Sequence, residues 1–370
     1  MDWIQLLYTR GEVDRAGKKL AVTGWVGNGR GEPDTRHALA VLNNWRAAHS
    51  FPLNTMQMGL RQRARNIEPE AIVSQRLKRA PATIAKLRRF PEMKLSRMQD
   101  IAGCRAILGS PVAVRELWSA HHRSKMKHQL IREVDYIQWP KASGYRGVHL
   151  VYRYRSDRND TYNGLRIEIQ LRSKLQHAWA TAVETAGAIK DQALKSSEGN
   201  ADWLRFFALA GSWLAIKERS PVVPETPSDP VELRDSLVGL ANDLNVVGTL
   251  DDYRTFISYA PERLPSYCHY FLLERRPDTR SMAVRGFRKS ELTGAARFYE
   301  EREEEIRGID GAEVVLVAMD SVASLRAAYP NYLFDTDLFI EELDLATRRQ
   351  VHLPGHPLHR LSRIPRRPRA

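Results

Sequence analysis

The sequence has very few cysteines, and this scarcity excludes whole classes of protein. Only Cys104 and Cys268 occur in 370 residues, so the chain can build neither a disulfide framework nor a cysteine-rich zinc site. It also lacks an apolar run long enough to cross a bilayer. Its first residues, MDWIQLLYTR, lack the basic and apolar layout of a secretion signal. We therefore expect a soluble, cytoplasmic protein without a membrane partner.

Acidic residues are scarce relative to basic ones. The chain has 57 Lys and Arg against 44 Asp and Glu, a formal net charge of +13. This balance favours a polyanionic partner, such as a nucleotide, tRNA or another nucleic acid. Hydrophobic residues make up 43% and charged residues 27% of the chain, which is typical of a folded globular protein. The length suits two domains, although three are possible.

Hydrophobic periodicity predicts two mixed α/β domains. The first, residues 1–219, combines helices, the longest over residues 38–66, with strands in IAGCRAIL, GVHLVYRY and LRIEIQLR. Four prolines in eleven residues predict a linker over residues 220–230. Residues 231–349 form the predicted second domain, with strands beginning at CHYFLLE. The tail, residues 350–370, is rich in Arg and Pro, lacks acids and is expected to be disordered.

The segment LRIEIQLR alternates between apolar and polar side chains, so a strand would have one face of each kind. Its polar face carries Arg166, Glu168, Gln170 and Arg172. Such a face suits either solvent or a cleft that holds a charged ligand. Periodicity alone favours an exposed edge strand.

The segment DYIQWPKASGYRGVHL places charge and aromatic rings on a predicted turn at Pro140 and Gly144. A lysine and an aromatic ring on such a loop can hold a phosphate and stack on a base. An ordinary hairpin turn with polar residues is the alternative. The side chains that could bind a ligand are Lys141, Ser143, Tyr145, Arg146 and His149.

A basic segment precedes both motifs. Arg76 and Lys78 are two residues apart, so in an extended chain they reach the same side, and Lys86 and Arg88 continue the positive surface. A guanidinium and an ammonium group together can clamp phosphates, although a solvated basic face is equally compatible. Asp100 precedes IAGCRAIL, where a carboxylate can ligate Mg²⁺ or simply form a turn.

In this order, the four elements resemble the synthetase domain of the RelA/SpoT family. The matching motifs are RLK (76–78), DIAGCR (100–105), PKASGYRGVH (140–149) and EIQLR (168–172). The resemblance implies a mixed-sheet pyrophosphoryl transferase domain flanked by helices. In such a domain ATP gives its β,γ-pyrophosphate to a ribose 3′-hydroxyl with the help of Mg²⁺, and AMP leaves.

The resemblance also implies roles for individual residues. Asp100 and Glu168 would be the catalytic, Mg²⁺-binding carboxylates, and Glu168 would assist deprotonation of the hydroxyl. The ATP-binding residues would be Arg76, Lys78, Lys86, Arg88 and Arg105. The acceptor-binding residues would be Lys141, Ser143, Tyr145, Arg146, His149, Gln170 and Arg172. The odd spacing from Asp100 puts Arg105 on the other face of a regular strand, which leaves a structural role open. The family often has Gln where Arg146 stands, so the added charge suits a larger polyanionic acceptor.

Two further segments resemble the CapRel group, in which a toxic small alarmone synthetase is fused to an antitoxin-like domain. They are LNNWRAAHSFPLNT (42–55) and YPNY (329–332). The resemblance implies a monomeric toxin that pyrophosphorylates the 3′-CCA end of tRNA and stops translation. A second domain, a pseudo-zinc-finger without metal-binding cysteines, would block the ATP site through Tyr329 and Tyr332 until a phage protein releases it.

Two alternatives to a tRNA-modifying toxin stay open at this stage. One is a synthetase that makes (p)ppGpp or (p)ppApp from GDP, GTP or adenosine nucleotides, with a regulatory second domain. The other is a non-enzymatic RNA-binding module that depends on the net charge of +13. The two carboxylates Asp100 and Glu168 argue against the RNA-binding module, because carboxylates repel phosphate unless a metal lies between them.

Overall fold

The computed structural model divides the chain into two compact units that are interleaved along the sequence. Unit 1 comprises residues 1–134, 148–172 and 255–333, and unit 2 comprises the rest. The units therefore do not follow the predicted domain boundaries at residues 219 and 231. The residues that the structure describes are 4–23, 33–189, 194, 200–254, 265, 267–276, 281–306, 309, 312–319 and 336–348. The predicted autoinhibitory Tyr329 and Tyr332 and the basic tail lie outside these residues.

The elements are mixed α and β, as the sequence predicts. The described helices are α1 (Arg10–Thr23), α2 (Pro33–Ala48), α3 (Ser50–Ile67), α4 (Ala80–Arg89), α5 (Pro111–Arg123), α6 (Lys174–Ile189), α7 (Ala201–Lys217), α8 (Pro230–Asp243), α9 (Val246–Arg254), α10 (Leu292–Glu305) and α11 (Asp337–Thr347). The described strands are β1 (Ile72–Leu77), β2 (Ala102–Leu108), β3 (Gln129–Asp135), β4 (Val148–Arg153), β5 (Arg166–Ser173), β6 (Cys268–Arg276), β7 (Ser281–Arg288) and β8 (Glu313–Ala318). None of the described helices is both long enough and apolar enough to cross a membrane.

Proline positions explain two of the helix starts. The helical pattern predicted over residues 38–66 is divided between two helices: α2 ends at Ala48 and α3 begins at Ser50. Pro52 and Pro81 then lie in the first turns of α3 and α4, where a missing N–H costs nothing. Neither α1 nor β3 was predicted from the sequence.

One eight-stranded sheet runs in the order β3-β4-β5-β2-β1-β8-β6-β7. Strand β1 pairs antiparallel with both β2 and β8, so that Arg76 lies opposite Gly103 on one side and Val317 on the other. Strands β6 to β8 were predicted in a separate second domain. They instead continue the sheet of the amino-terminal half, because β8 satisfies the second edge of β1.

Helices α1, α2 and α4 form an apolar core in unit 1 with the buried rings of Tyr154 and Tyr162. In unit 2, helices α6 to α9 and α11 enclose an aromatic core that includes Trp179, Phe207 and Phe339.

The proline-rich segment that was predicted as an interdomain linker joins α7 to α8 within unit 2. It packs on α7: the Val223 amide donates to Ser212 Oγ at 2.8 Å, and Thr226 Oγ1 lies 2.6 Å from the same oxygen. Buried hydroxyls therefore hold a segment that its composition alone marks as a flexible connection.

Candidate active site

Asp100 lies between two lysines in unit 1. The pairing of β1 with β2 continues one residue beyond β1, where the Lys78 amide donates to the Ile101 carbonyl at 2.8 Å. This brings Lys78 Nζ to 3.1 Å from Asp100 Oδ2, while Lys86 Nζ on α4 lies 2.9 Å from Oδ1. Residues predicted from two separate segments, the basic segment and the motif DIAGCR, therefore form one cluster.

The charges in this cluster keep the Asp100 carboxylate ionised. Burial alone would raise the pKa of Asp100, but the ammonium groups of Lys78 and Lys86 outweigh it and lower the pKa to about 2. Burial lowers the pKa of Lys78 despite attraction to Asp100, and the charges of Lys86 and Arg76 lower it further. Two lysines around one carboxylate, with the charge of Arg76 acting on Lys78, leave an excess of positive charge that suits an anionic ligand.

Glu168 lies in a second polar cluster on strands β4 and β5. These strands are antiparallel with His149 opposite Gln170, and the Glu168 carboxylate is paired with His149 Nδ1 at 2.8 Å. Gln170 Nε2 donates to Glu168 Oε2 at 2.7 Å, and Arg172 Nη2 donates to Gln170 Oε1 at 3.1 Å. On the polar face of LRIEIQLR, Glu168, Gln170 and Arg172 therefore form one connected and partly buried network, whereas Arg166 donates to the Arg97 carbonyl. The exposed edge strand that periodicity favoured is not found, because β5 lies between β4 and β2.

The two clusters act on each other electrostatically. Burial and the charge of Asp100 both raise the pKa of Glu168, but hydrogen bonds from His149 and Gln170 outweigh them and lower it. Two ionised carboxylates that repel each other suit Mg²⁺, which proteins commonly bind through one or two carboxylates together with substrate phosphates. Among the described residues, no group of three or more His, Cys, Asp or Glu side chains could hold a metal.

Of the other candidate ATP-binding residues, Arg76 and Arg105 lie together on the sheet, whereas Arg88 lies apart from them on α4. Arg76 lies opposite Gly103 in the β1–β2 register and Ser74 lies opposite Arg105, so the two arginines share one face of the sheet. Arg88 is exposed, and its guanidinium donates to carbonyl oxygens of Ala21 and Val22 at 2.9 and 3.4 Å. Because these contacts hold the carboxyl end of α1, they argue against the predicted ATP contact of Arg88.

The candidate acceptor loop, residues 135–147, belongs to unit 2. Lys141 Nζ lies 4.5 Å from the ring centroid of Tyr136 and 5.3 Å from that of Tyr145. The two rings meet edge to face at 5.7 Å. Lys141 and Tyr145 are among the predicted residues and Tyr136 is not, although its aromatic ring on the same loop was a usable signal. Ser143 is partly buried within this loop.

Gly144 is required by the conformation of this loop. Its φ is +95°, and a Cβ there would lie 2.5 Å from the Phe207 carbonyl oxygen and 2.8 Å from the Trp179 ring. Any side chain would therefore displace the loop from α6 and α7.

Arg146 departs from its predicted role as an acceptor contact. It is 2% exposed, and its Nη1 lies 2.6 Å from Glu218 Oε2. Glu218 also accepts hydrogen bonds from Ser173 Oγ and from Gln176 Nε2, the latter at 3.1 Å. Burial lowers the pKa of Arg146, which Glu218 partly offsets. The guanidinium of Arg146 thus forms a buried ion pair with Glu218 inside unit 2. Because the group is buried, direct contact with an acceptor is disfavoured.

We expect Arg146→Ala to reduce the free energy of unfolding of unit 2 by roughly 3–5 kcal/mol, because it leaves the Glu218 carboxylate buried without its cation. Asp235→Ala is the control, since it breaks an ion pair with Arg234 in which the aspartate is 63% exposed, and should cost less than about 1 kcal/mol. Urea titration followed by tryptophan fluorescence measures both variants. Equal losses would contradict the structural role of Arg146.

Comparison with known proteins supports the motif assignment. Residues 75–192 match the family model described as "Region found in RelA / SpoT proteins", which confirms the resemblance of this segment. The chain is 31% identical over 118 residues to GTP pyrophosphokinase YjbM of Bacillus subtilis, covering 30% of this chain and 54% of that protein. It is 32% identical over 119 residues to an uncharacterized protein of Mycobacterium tuberculosis, covering 31% and 39%. The chain thus spans about half the length, or less, of these relatives.

The chain is also similar to parts of two solved structures. Small alarmone synthetase 1 from Bacillus subtilis, bound to its product pppGpp, is 28% identical, with 35% of this chain and 72% of that chain covered and a TM-score of 0.31. A GTP pyrophosphokinase family protein from Streptococcus pneumoniae is 21% identical, with 54% and 92% covered and a TM-score of 0.38.

Proposed function

We propose that this chain is an ATP-dependent pyrophosphokinase of the RelA/SpoT type. The observation that carries the proposal is the Asp100 carboxylate between the ammonium groups of Lys78 and Lys86, at 3.1 and 2.9 Å, with a second carboxylate, Glu168, near enough to feel its charge. Such a site can hold a triphosphate and a divalent cation together. The match of residues 75–192 to the RelA/SpoT region supports the same reaction.

Binding of ATP with Mg²⁺ would exchange partners within the Asp100 cluster. Lys78 and Lys86 are paired with Asp100, and ATP phosphates would take these lysines while Asp100 turns to the cation. Each charge keeps a partner of opposite sign, so the exchange leaves no charge unpaired. Bound Mg²⁺ would neutralise charge on the phosphates. Arg76 and Arg105 would add positive charge toward the triphosphate.

Glu168 would then serve the acceptor hydroxyl. The acceptor 3′-oxygen forms a bond to the β-phosphorus of ATP, the bond from that phosphorus to the α,β-bridging oxygen breaks, and AMP leaves. The hydroxyl proton passes to the Glu168 carboxylate, which is oriented by His149 and Gln170. Arg172 holds Gln170 in place.

Two acceptors are candidates. A guanosine nucleotide, GDP or GTP, is favoured by the name of the relative GTP pyrophosphokinase YjbM. A tRNA 3′-CCA end is favoured by the net charge of +13 and by the resemblance to the CapRel group. In the second case the chain would be a fused toxin and antitoxin, inhibited through Tyr329 and Tyr332 and released by a phage protein.

The acceptor is identified by incubating the full chain with Mg²⁺ and γ-³²P-ATP in the presence of GDP, GTP, ATP or deacylated tRNA. The double variant Tyr329→Ala/Tyr332→Ala is assayed in parallel as the released form. Label on tRNA supports the toxin, and label only on free nucleotides supports an alarmone synthetase. Transfer that is equal in the wild type and the double variant would contradict autoinhibition by the two tyrosines.

We expect Lys141→Ala to raise the KM for the acceptor by roughly tenfold, because a charge-assisted contact of the exposed ammonium group is lost. The KM for ATP should change less than about twofold, since the ATP contacts are assigned to other residues. Initial rates at varied acceptor and ATP concentrations give both constants. A rise in the KM for ATP alone would contradict the assignment of Lys141 to the acceptor.

A further inference from the structure

A buried polar network joins helix α10 to helix α2 within unit 1. Arg46 Nη1 lies 3.1 Å from Glu303 Oε2, and its Nη2 donates to Tyr299 Oη at 2.6 Å. The Tyr299 hydroxyl donates to Glu303 Oε1 at 2.7 Å. The side chains of Arg46 and Glu303 are only 3% and 6% exposed. Residues some 250 positions apart therefore share one closed set of hydrogen bonds.

The same network holds both ends of the turn that leads from β1 into α4. Arg46 Nε donates to the backbone carbonyl of Lys78 at 2.8 Å, and the Ala80 amide donates to Glu303 Oε1 at 3.1 Å. Ala80 begins α4, where helix amides lack intrahelical acceptors and attract a carboxylate. Lys86 lies further along α4 and also contacts Asp100. The network therefore fixes the backbone that carries both lysines of the Asp100 cluster.

Strand β8 supports this segment along its other side. It pairs with β1 so that Val317 lies opposite Arg76, and Glu313 Oε1 lies 2.6 Å from Arg79 Nη1. Residues 76–86 thus receive three separate supports from the region between β6 and β8. That region lies within residues 231–349, the predicted regulatory domain.

Stability alone gives a weak reason for such a network. Burial would lower the pKa of Arg46, but the charges of Glu303 and Tyr299 outweigh it and raise the pKa. Burial raises the pKa of Tyr299. Buried ion pairs are often no more stabilising than well-packed apolar side chains of the same size. What the network adds is a defined position for the Lys78 carbonyl and the first amide of α4.

We propose that Glu303 and Tyr299 act through Arg46 as positioning residues for the phosphate-binding segment, residues 76–86. The region from β6 to β8 is then part of the ATP site and not a detachable regulator. The identity of the bound ligand rests on the proposed function, whereas the positioning of the segment does not.

The test compares Glu303→Gln with Glu274→Gln in the full chain. Glu274 accepts two hydrogen bonds, at 2.6 and 2.8 Å, from Arg302, which neighbours Glu303 on α10, and this ion pair joins α10 to β6. We expect Glu303→Gln to weaken Mg²⁺-dependent binding of a non-hydrolysable ATP analogue by about tenfold. Amide hydrogen exchange in peptides covering residues 77–86 should quicken in Glu303→Gln alone.

Tyr299→Phe is the milder variant if Glu303→Gln fails to fold, and it should shift both readouts in the same direction. Equal exchange of residues 77–86 in the Glu303 and Glu274 variants would overturn the positioning role. Faster exchange confined to Glu303→Gln, with no analogue bound by the wild type, would support positioning while counting against the proposed function.

Discussion

Glu168→Gln is expected to lower kcat for pyrophosphoryl transfer by roughly a thousandfold, because it removes the base for the acceptor hydroxyl and a ligand for the cation. The amide keeps the size of the side chain, and its oxygen can accept a hydrogen bond from one of the two groups that face Glu168, His149 Nδ1 and Gln170 Nε2. Binding of ATP should therefore change far less than kcat. Single-turnover release of AMP from adenine-labelled ATP measures the chemical step directly.

Glu133→Gln is the matched control for this variant. Glu133 on β3 also pairs with a histidine, His122 of α5, whose Nε2 lies 2.9 Å from Glu133 Oε1, but it belongs to neither cluster of the candidate site. Its kcat should stay within about twofold of the wild type. Retention of more than about a tenth of wild-type kcat by Glu168→Gln would argue against Glu168 as the base.

Asp100→Asn should separate binding from catalysis. Without the carboxylate, Lys78 and Lys86 lose the partner with which ATP phosphates compete, so metal-free ATP should bind more tightly by roughly tenfold. Transfer should nevertheless fall by at least about a hundredfold, because the cation loses a ligand. Calorimetric titration with ATP in EDTA and in Mg²⁺, together with AMP release, measures the two effects.

The control for Asp100→Asn is Asp157→Asn, which removes an exposed ion pair with Lys127 and should alter neither quantity. Weaker binding of metal-free ATP by Asp100→Asn would contradict the partner exchange.

The lowered pKa of Asp100, about 2, adds a further readout, the dependence of stability on pH. The ion pairs of Asp100 stabilise the folded chain at pH values above about 4, the ordinary pKa of an aspartate. This stabilisation is lost as the pH falls toward 2. The free energy of unfolding of Asp100→Asn should therefore fall less between about pH 4 and pH 2 than that of the wild type.

The strands that carry the motifs were predictable because their signals are local. The alternation in LRIEIQLR and the apolar run in IAGCRAIL each mark a strand without reference to the rest of the chain. Asp100 and Glu168 could be named because the order and spacing of four motifs resemble a known family. The ion pairs of Asp100 with two lysines were not predictable, since they depend on the β1–β2 register and on the direction of α4.

The features that could not be predicted from the sequence are contacts between residues that lie far apart along the chain. No local pattern links β8 to β1, although that pairing joins the carboxyl-terminal strands to the amino-terminal sheet. Arg146 was assigned to the acceptor because its neighbours are a glycine and a tyrosine, whereas its partner, Glu218, lies at the end of α7. Arg46 carries no motif, and only the folded chain brings it to Glu303.

The most direct test of the account is the identity of the product formed from ATP. Full-length wild type and the Tyr329→Ala/Tyr332→Ala variant are incubated with adenine-labelled ATP, Mg²⁺ and GDP, GTP or deacylated tRNA. The account predicts AMP, formed one for one with an acceptor that gains two phosphates, and its loss in Glu168→Gln. Formation of ADP, or the absence of AMP with every acceptor in both proteins, would contradict pyrophosphoryl transfer.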